Sequence, residues 1–235
     1  MSMGITAENV AKKFDISRKE QQDFAISSHT KANSARETNM FDNEIVSIMN
    51  NDQIINKDGG IRPNTSHEIL DGLKLAFDEN GTVTAGTASP LTDGASAVIV
   101  CEEEYAKKNN LNILARIKST AVVGCPPELM GLGPINASKK ALKRANLSIS
   151  DIDIVELNEA FASQSLACIK ELKMDINKVN IHGGAIALGH PLGATGARIT
   201  GKVATLLQNN NKKYGLATQC IGLGQGIATV LENIN

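Results

Sequence analysis

Tryptophan is absent from these 235 residues, and tyrosine and phenylalanine contribute only two and five. A core without large rings must be filled by Ala, Val, Ile and Leu, which suits closely packed layers of helix on sheet. An excess of either charge is missing too: 24 Lys and Arg against 25 Asp and Glu leave a formal net charge of −1. Phosphate binding rests on clustered cations, so this balance, with no basic stripe, argues against a nucleic-acid partner. No apolar run approaches the roughly 20 residues needed to span a bilayer, and residues 1–10 lack the apolar centre of a secretion signal. The four cysteines, Cys101, Cys125, Cys168 and Cys220, show no C-x-x-C spacing, so neither disulfides nor a zinc site is expected. These absences leave a water-soluble chain of one large or two small domains, with reduced thiols, no metal and no membrane insertion. A cytoplasmic address is expected, with an organellar one left open.

What is present centres on residues 183–198, GGAIALGHPLGATGAR. Small residues and one proline surround His190, so the backbone there packs tightly and the imidazole is held in one place. From Thr195 the pattern turns helical, with Ile199, Val203, Leu206 and Leu207 on one side, so the histidine precedes a helix N-terminus suited to an anion or a developing oxyanion. A lone His in a glycine-rich loop is more often structural than catalytic, and G-x-x-x-G-x-x-G is not the dinucleotide fingerprint. Two further segments sharpen the reading: LNEAFA at 157–162 and QCIGLGQG at 219–226. Each sets a polar or reactive side chain, Asn158 or Cys220, at the end of a predicted strand, where α/β folds carry their chemistry.

Along the chain, residues 6–14 and 17–35 read as helices, the second opened by the capping box Ser17-x-x-Glu20. Residues 39–78 read as an irregular surface segment rich in turn formers. Residues 81–89 read as a strand entering a turn, and 94–101 as a strand buried on both faces in which Cys101 packs. Beyond them, strands are predicted at 113–123, 152–157, 179–182, 214–220 and 226–232, and helices at 137–145, 160–172 and 195–208. The order β-α-β-α-β-α-β-β implies right-handed crossovers and a sheet covered by helices on its faces. His29 is expected on a helix surface, His67 in a loop, and His182 at an exposed strand end; Cys168 is expected to face core. Glu159 could be a general base, but it and Glu156 bracket a strand end, where helix-capping support is the preferred role.

The segments at 157–162, 183–198 and 219–226 together resemble the C-terminal half of the thiolases, and CIGLGQG is most similar to the 3-ketoacyl-CoA thiolase branch. SMGITAENVA at 2–11, VTAGTASPLTDGASAV at 83–98 and MGLGPINASKKAL at 130–142 extend the resemblance over nearly the whole chain. It implies an α/β thiolase fold: residues 1–91 part of a loop domain that contacts coenzyme A, 92–112 the last strand and helix of an N-terminal domain, and 113–235 the C-terminal domain with a mixed sheet. The implied activity is acyl transfer, thiolysis of a 3-ketoacyl-CoA or the reverse Claisen condensation. Coenzyme A and acyl-CoA are then the small-molecule partners, no cofactor is covalently bound, and the full-length enzyme is a homo-oligomer, a dimer or tetramer. By resemblance, His190 deprotonates a nucleophilic cysteine, Cys220 is a second acid/base, Asn158 holds a water for one oxyanion site, and Gly222 lends its N–H to the other. Ala85, Gly86 and Ser89 would lie beside the pantetheine arm, and Met130 and Phe161 would line the channel. The family's nucleophile belongs to a first half that this sequence lacks. The chain is therefore expected to be the C-terminal portion of a longer enzyme, or a non-catalytic relative that binds coenzyme A or pairs with a partner chain.

Overall fold

Residues 1–234 are described in a computed structural model. Helix α1, Met3–Phe14, is opened by Ser2, whose hydroxyl accepts from Ile5 N, and is closed by Asp15 in the left-handed region. Ser17 then starts α2, Arg18–Glu37, with the expected capping box: its hydroxyl accepts from Glu20 N, and the Glu20 carboxylate accepts from Ser17 N at 2.7 Å. The stretch expected to be irregular contains a hairpin, β1 (Ile48–Asn50) with β2 (Gln53–Ile55), turning at Asn51 and Asp52, both with positive φ. That pair of left-handed residues matches the twist of the strands they join. A short helix, α3 (His67–Asp71), follows.

Two predicted strands in the middle of the chain do not form. Residues 81–89 make one isolated bridge, Leu75 to Thr84, and then a 3-10 turn at Ala85–Thr87. Residues 94–101 are irregular and exposed, Ile99 to 91% and Cys101 with it, so Cys101 does not pack into a core. The apolar run has the composition of a strand, but a buried strand needs neighbours on both edges, and no strand among the described residues pairs with it. Helix α4, Glu103–Lys108, follows.

From residue 116 the predicted alternation holds with one exception. Strand β3 (Arg116–Gly124) leads to α5 (Gly133–Ala145), β4 (Ile154–Leu157) and α6 (Ala162–Leu172). A single turn, α7 (Ala185–Leu188), precedes α8 (Thr195–Asn209), and β5 (Tyr214–Ile221) and β6 (Gln225–Glu232) close the chain. The expected strand at 179–182 is reduced to one parallel bridge, Val155 to Val179. Asn180 turns away with positive φ and supplies the pairing through its side chain instead: Oδ1 accepts from Leu157 N and Nδ2 donates to Leu157 O. An Asn amide copies the donor and acceptor of a peptide unit, so the outer edge of β4 is satisfied without a second neighbouring strand.

The sheet runs β3-β6-β5-β4; β6 is antiparallel to both β3 and β5, and β5 and β4 are parallel. Its two faces bury different helices. Val155, Leu157, Leu216, Ala228 and Val230 pack with α5 and α6, while Ile154, Ala217 and Leu231 pack with Ile199, Val203, Leu206 and Leu207 of α8. With side chains alternating along β4, Glu156 shares the α8 face with Ile154. The parallel pair aims the carboxyl ends of β4 and β5 the same way, so Asn158 and Cys220 leave the sheet at one end.

Candidate active site

Asn158 follows β4 directly. Its N–H donates to Thr218 O at 3.0 Å, fixing it beside β5 two residues before Cys220. The side chain is 1% exposed, and neither its Oδ1 nor its Nδ2 has a hydrogen-bond partner in the chain. Buried amides are almost always bonded, so this one keeps unused donor and acceptor capacity. Glu159 is equally buried but fully engaged. Its carboxylate accepts from Ser28 Oγ (2.6 Å), Asn180 Nδ2 (2.8 Å) and Ile186 N (3.1 Å), the last capping α7. Its three donors engage both oxygens, so Glu159 ties the segment after β4 to the glycine-rich loop, an arrangement that suits support better than a general base. Glu156 caps no helix: it points to the α8 face, its Oε1 unpaired, and burial pushes its carboxyl up to about 7 against the pull of Arg198 and Lys202.

Cys220 sits near the end of β5, 8% exposed, in an apolar cluster with Met130, Phe161, Ala160, Ala88, Val83 and Ala7. Met130 comes from the 3-10 turn before α5, and Phe161 precedes α6 and stands edge-on to Phe77. Burial pushes the Cys220 thiol up to about 12, only partly offset by its own backbone N–H. The thiol is therefore protonated at neutral pH and poised as a proton donor. Gly222 opens the β5–β6 turn; it is exposed, with nothing within 4 Å of the position a Cβ would take. The turn's left-handed positions fall to Leu223 and Gly224.

His190 lies between α7 and α8, half-buried. Its Nδ1 is 2.6 Å from Thr195 Oγ1, and its backbone N–H donates to Thr92 Oγ1 at 3.2 Å. Burial first, and the Arg198 charge second, hold its pKa below the usual imidazole value, so the ring is neutral at neutral pH. Gly189, at φ +91°, is needed here for close approach: a Cβ would meet Thr92 Oγ1 at 2.5 Å.

Ala85 is exposed and Gly86 half-buried, both within the 3-10 turn. Ser89 is held by two bonds to one acceptor, its N–H and its Oγ–H both donating to Ala160 O at 3.0 and 3.1 Å. Residues 88–96 thus form a strip that runs along the site: Ala88 bridges to Phe161, Ser89 bonds Ala160, Thr92 bonds His190, and Ser96 Oγ donates to Ala194 O at 2.6 Å. Cys220, Met130 and Phe161 are gathered in one cluster, with Ser89 joined to it through Ala160. Asn158 is adjacent along both chain and sheet, whereas His190 reaches them through the strip. Sequence reading missed Thr92, Thr195 and Ser96; their only signal was proximity in sequence to the glycine-rich motifs.

The other three histidines depart from expectation, and Cys168 meets it. His29 is buried, 6% exposed, with its Nδ1 accepting from Arg62 N, because the loop at 61–62 folds over α2; burial lowers it to about 4. His182 is not on a strand end at the surface but half-buried and edge-on to Phe41, held at about 4 by burial and by Lys202. Cys168 is buried in the core as expected. His67 starts α3 and pairs with Asp23 at 2.8 Å. Cavities of about 220 and 580 Å³ lie away from His190, Cys220 and Asn158, which line neither. Among the described residues no group of three or more His, Cys, Asp or Glu is gathered for a metal, and no helix is long and apolar enough to cross a membrane.

A mixed sheet with helices on both faces, carrying a histidine, an asparagine and a cysteine toward one end, defines an α/β protein of the thiolase fold. The thiolase C-terminal domain model matches residues 111–233 and the N-terminal domain model residues 1–104, and the chain belongs to the thiolase family. It is 52% identical to the 3-ketoacyl-CoA thiolases of Photobacterium profundum and Vibrio vulnificus, over 99% and 98% of its own length and 62% of theirs. Human mitochondrial 3-ketoacyl-CoA thiolase, 44% identical, superposes with a TM-score of 0.97 over all of this chain and 60% of that one. The same human protein has also been solved in complex with CoA, and Bacillus anthracis acetyl-CoA acetyltransferase matches at a TM-score of 0.95 and 43% identity, over 99% of this chain and 60% of that one. The chain thus spans about three fifths of the length of these relatives.

Proposed function

We propose that this chain contributes the acid/base and oxyanion part of a 3-ketoacyl-CoA thiolase site, whose nucleophilic cysteine comes from outside these 235 residues. The observation that carries the reading is Asn158, a buried amide with both polar atoms unpaired, at the sheet end where Cys220 also emerges. In thiolysis, neutral His190 takes the proton of the nucleophilic thiol, which attacks the 3-keto carbon. The C2–C3 bond then breaks, and the electron pair passes to the acetyl-CoA enolate. Asn158, through a water shared with His190, stabilises that enolate, and the Gly222 N–H serves the other oxyanion. The protonated Cys220 thiol delivers the proton to the enolate carbon. Its thiolate, transient in so buried a place, then takes the proton of the incoming coenzyme A thiol, which attacks the acyl-enzyme and expels the nucleophilic cysteine, reprotonated by His190. Coenzyme A lies along Ala85, Gly86 and Ser89, with Met130 and Phe161 lining the channel beside Cys220. In this reading residues 1–91 belong to the loop domain, 92–112 to the N-terminal domain and 113–235 to the C-terminal domain. The complete enzyme is a cytoplasmic or organellar dimer or tetramer.

Acetoacetyl-CoA thiolysis by this chain, alone and mixed with a separately expressed first half from a matching full-length gene, tests the reading. Inactivity alone, activity on mixing, and a roughly 10²–10⁴-fold loss in His190→Ala are expected. Activity of the chain alone would place the nucleophile within it. An inactive but folded mixture would favour a non-catalytic protein that binds coenzyme A or a partner chain.

A further inference from the structure

His190 is held by two threonine hydroxyls, each of which also contacts a proline carbonyl. Thr92 Oγ1 receives the backbone N–H of His190 at 3.2 Å and lies 2.7 Å from Pro90 O. Thr195 Oγ1 lies 2.6 Å from His190 Nδ1 and 3.0 Å from Pro191 O. A hydroxyl has one proton, and a carbonyl oxygen only accepts. The assignment at Thr92 is therefore forced: its proton goes to Pro90 O and its lone pair accepts from the peptide N–H. At Thr195 two arrangements exist. Were the hydroxyl to donate to Nδ1, its oxygen and that of Pro191 would face each other at 3.0 Å with no proton between them. Donation to Pro191 O, which also accepts from the N–H groups of Ala194 and Thr195 at 2.9 and 3.0 Å, instead makes both contacts hydrogen bonds and requires a proton on Nδ1. Thr195 is 0% exposed, so water does not compete for either contact.

We infer that Thr195 is a positioning residue that fixes His190 as the Nδ1–H tautomer and leaves the Nε2 lone pair as the base, while Thr92 pins the same residue's backbone. The inference rests on His190 being the base of the proposed reaction, but its physical content, the tautomer, is read without turnover. Two oxygen acceptors from distant parts of the chain thus fix the ring and its peptide separately, so the imidazole is preorganised before substrate arrives.

The test is nitrogen-15 NMR of the imidazole in the full chain at about pH 8, where the ring is neutral, with Thr195→Ser, Thr195→Val and Thr92→Val alongside. Expected is a protonated Nδ1 and an unprotonated Nε2 in the native chain and in Thr195→Ser, which keeps the hydroxyl. Thr195→Val should lose that signature in favour of protonated Nε2. Thr92→Val should keep the tautomer but speed hydrogen exchange of the His190 amide roughly tenfold. Protonated Nε2 in the native chain, or an unchanged tautomer in a folded Thr195→Val, would overturn the assignment, and the native measurement decides even if a variant does not fold. Acylation or thiolysis plays no part in this readout, so its failure is separable from failure of the thiolase reading.

Discussion

Glu156 is a carboxylate whose ionisation the fold opposes. Its carboxyl rises from 4.5 to about 7 because burial outweighs Arg198 and Lys202, so the folded chain binds its proton more tightly than the unfolded chain. The stabilisation it contributes is complete below the unfolded value and is lost as pH rises through about 7, worth at most about 3 kcal/mol. His29 and His182 act in the opposite sense: both are lowered to about 4, so their contribution is present above the unfolded imidazole value and lost as pH falls toward 4. A bare pH profile would mix these. Comparing the native chain with Glu156→Gln by denaturant unfolding from pH 5 to 8 isolates the carboxyl. The variant is expected to gain on the native chain as pH rises, and a constant difference across the range would show that Glu156 keeps its charge at little penalty.

The capping box at Ser17 and Glu20 carries the start of the longest helix, α2, which also brings Ser28 to Glu159. Ser17→Ala is expected to destabilise the chain by about 1 kcal/mol, read as a lower unfolding midpoint with an unchanged denaturant slope. This cap was legible in sequence because it is local chemistry at fixed spacing. So were α5, α6, α8, β5 and β6, whose apolar periodicity is set by neighbours that the chain itself supplies. The strand at 179–182 was misread because Asn180, a single polar side chain, completes the pairing of β4 and frees the backbone to turn. Likewise, 94–101 has the composition of a central strand, but composition says nothing about whether strands flank it. At the candidate site, His190, Asn158 and Cys220 were legible as candidates because small residues and strand ends mark them. Thr92 and Thr195 were not, since an ordinary threonine gains its role only from what lies 98 residues away or across a turn. The raised Cys220 thiol was also invisible, being a property of the packed cluster around it.

Taken whole, the molecule covers its own C-terminal sheet well and its middle poorly. Val98, Ile99 and Val100 are exposed, and β3, at the sheet edge, shows Ile117 and Val122 to solvent. An unpaired edge beside exposed apolar residues is a pairing surface. Sedimentation velocity at rising concentration is expected to show self-association of the isolated chain, reduced in the double variant Ile99→Lys, Val100→Lys with helix content kept; equal association in both would clear this segment of responsibility. The strip at 88–96 has a consequence for the order in which the molecule comes together. Its bonds to Ala160, His190 and Ala194 close loops of 71, 98 and 98 residues, and contacts so distant in sequence lag behind local helices and hairpins during folding. On the ribosome the strip emerges before its partners, so the imidazole gains its orientation only after 98 further residues have followed Thr92.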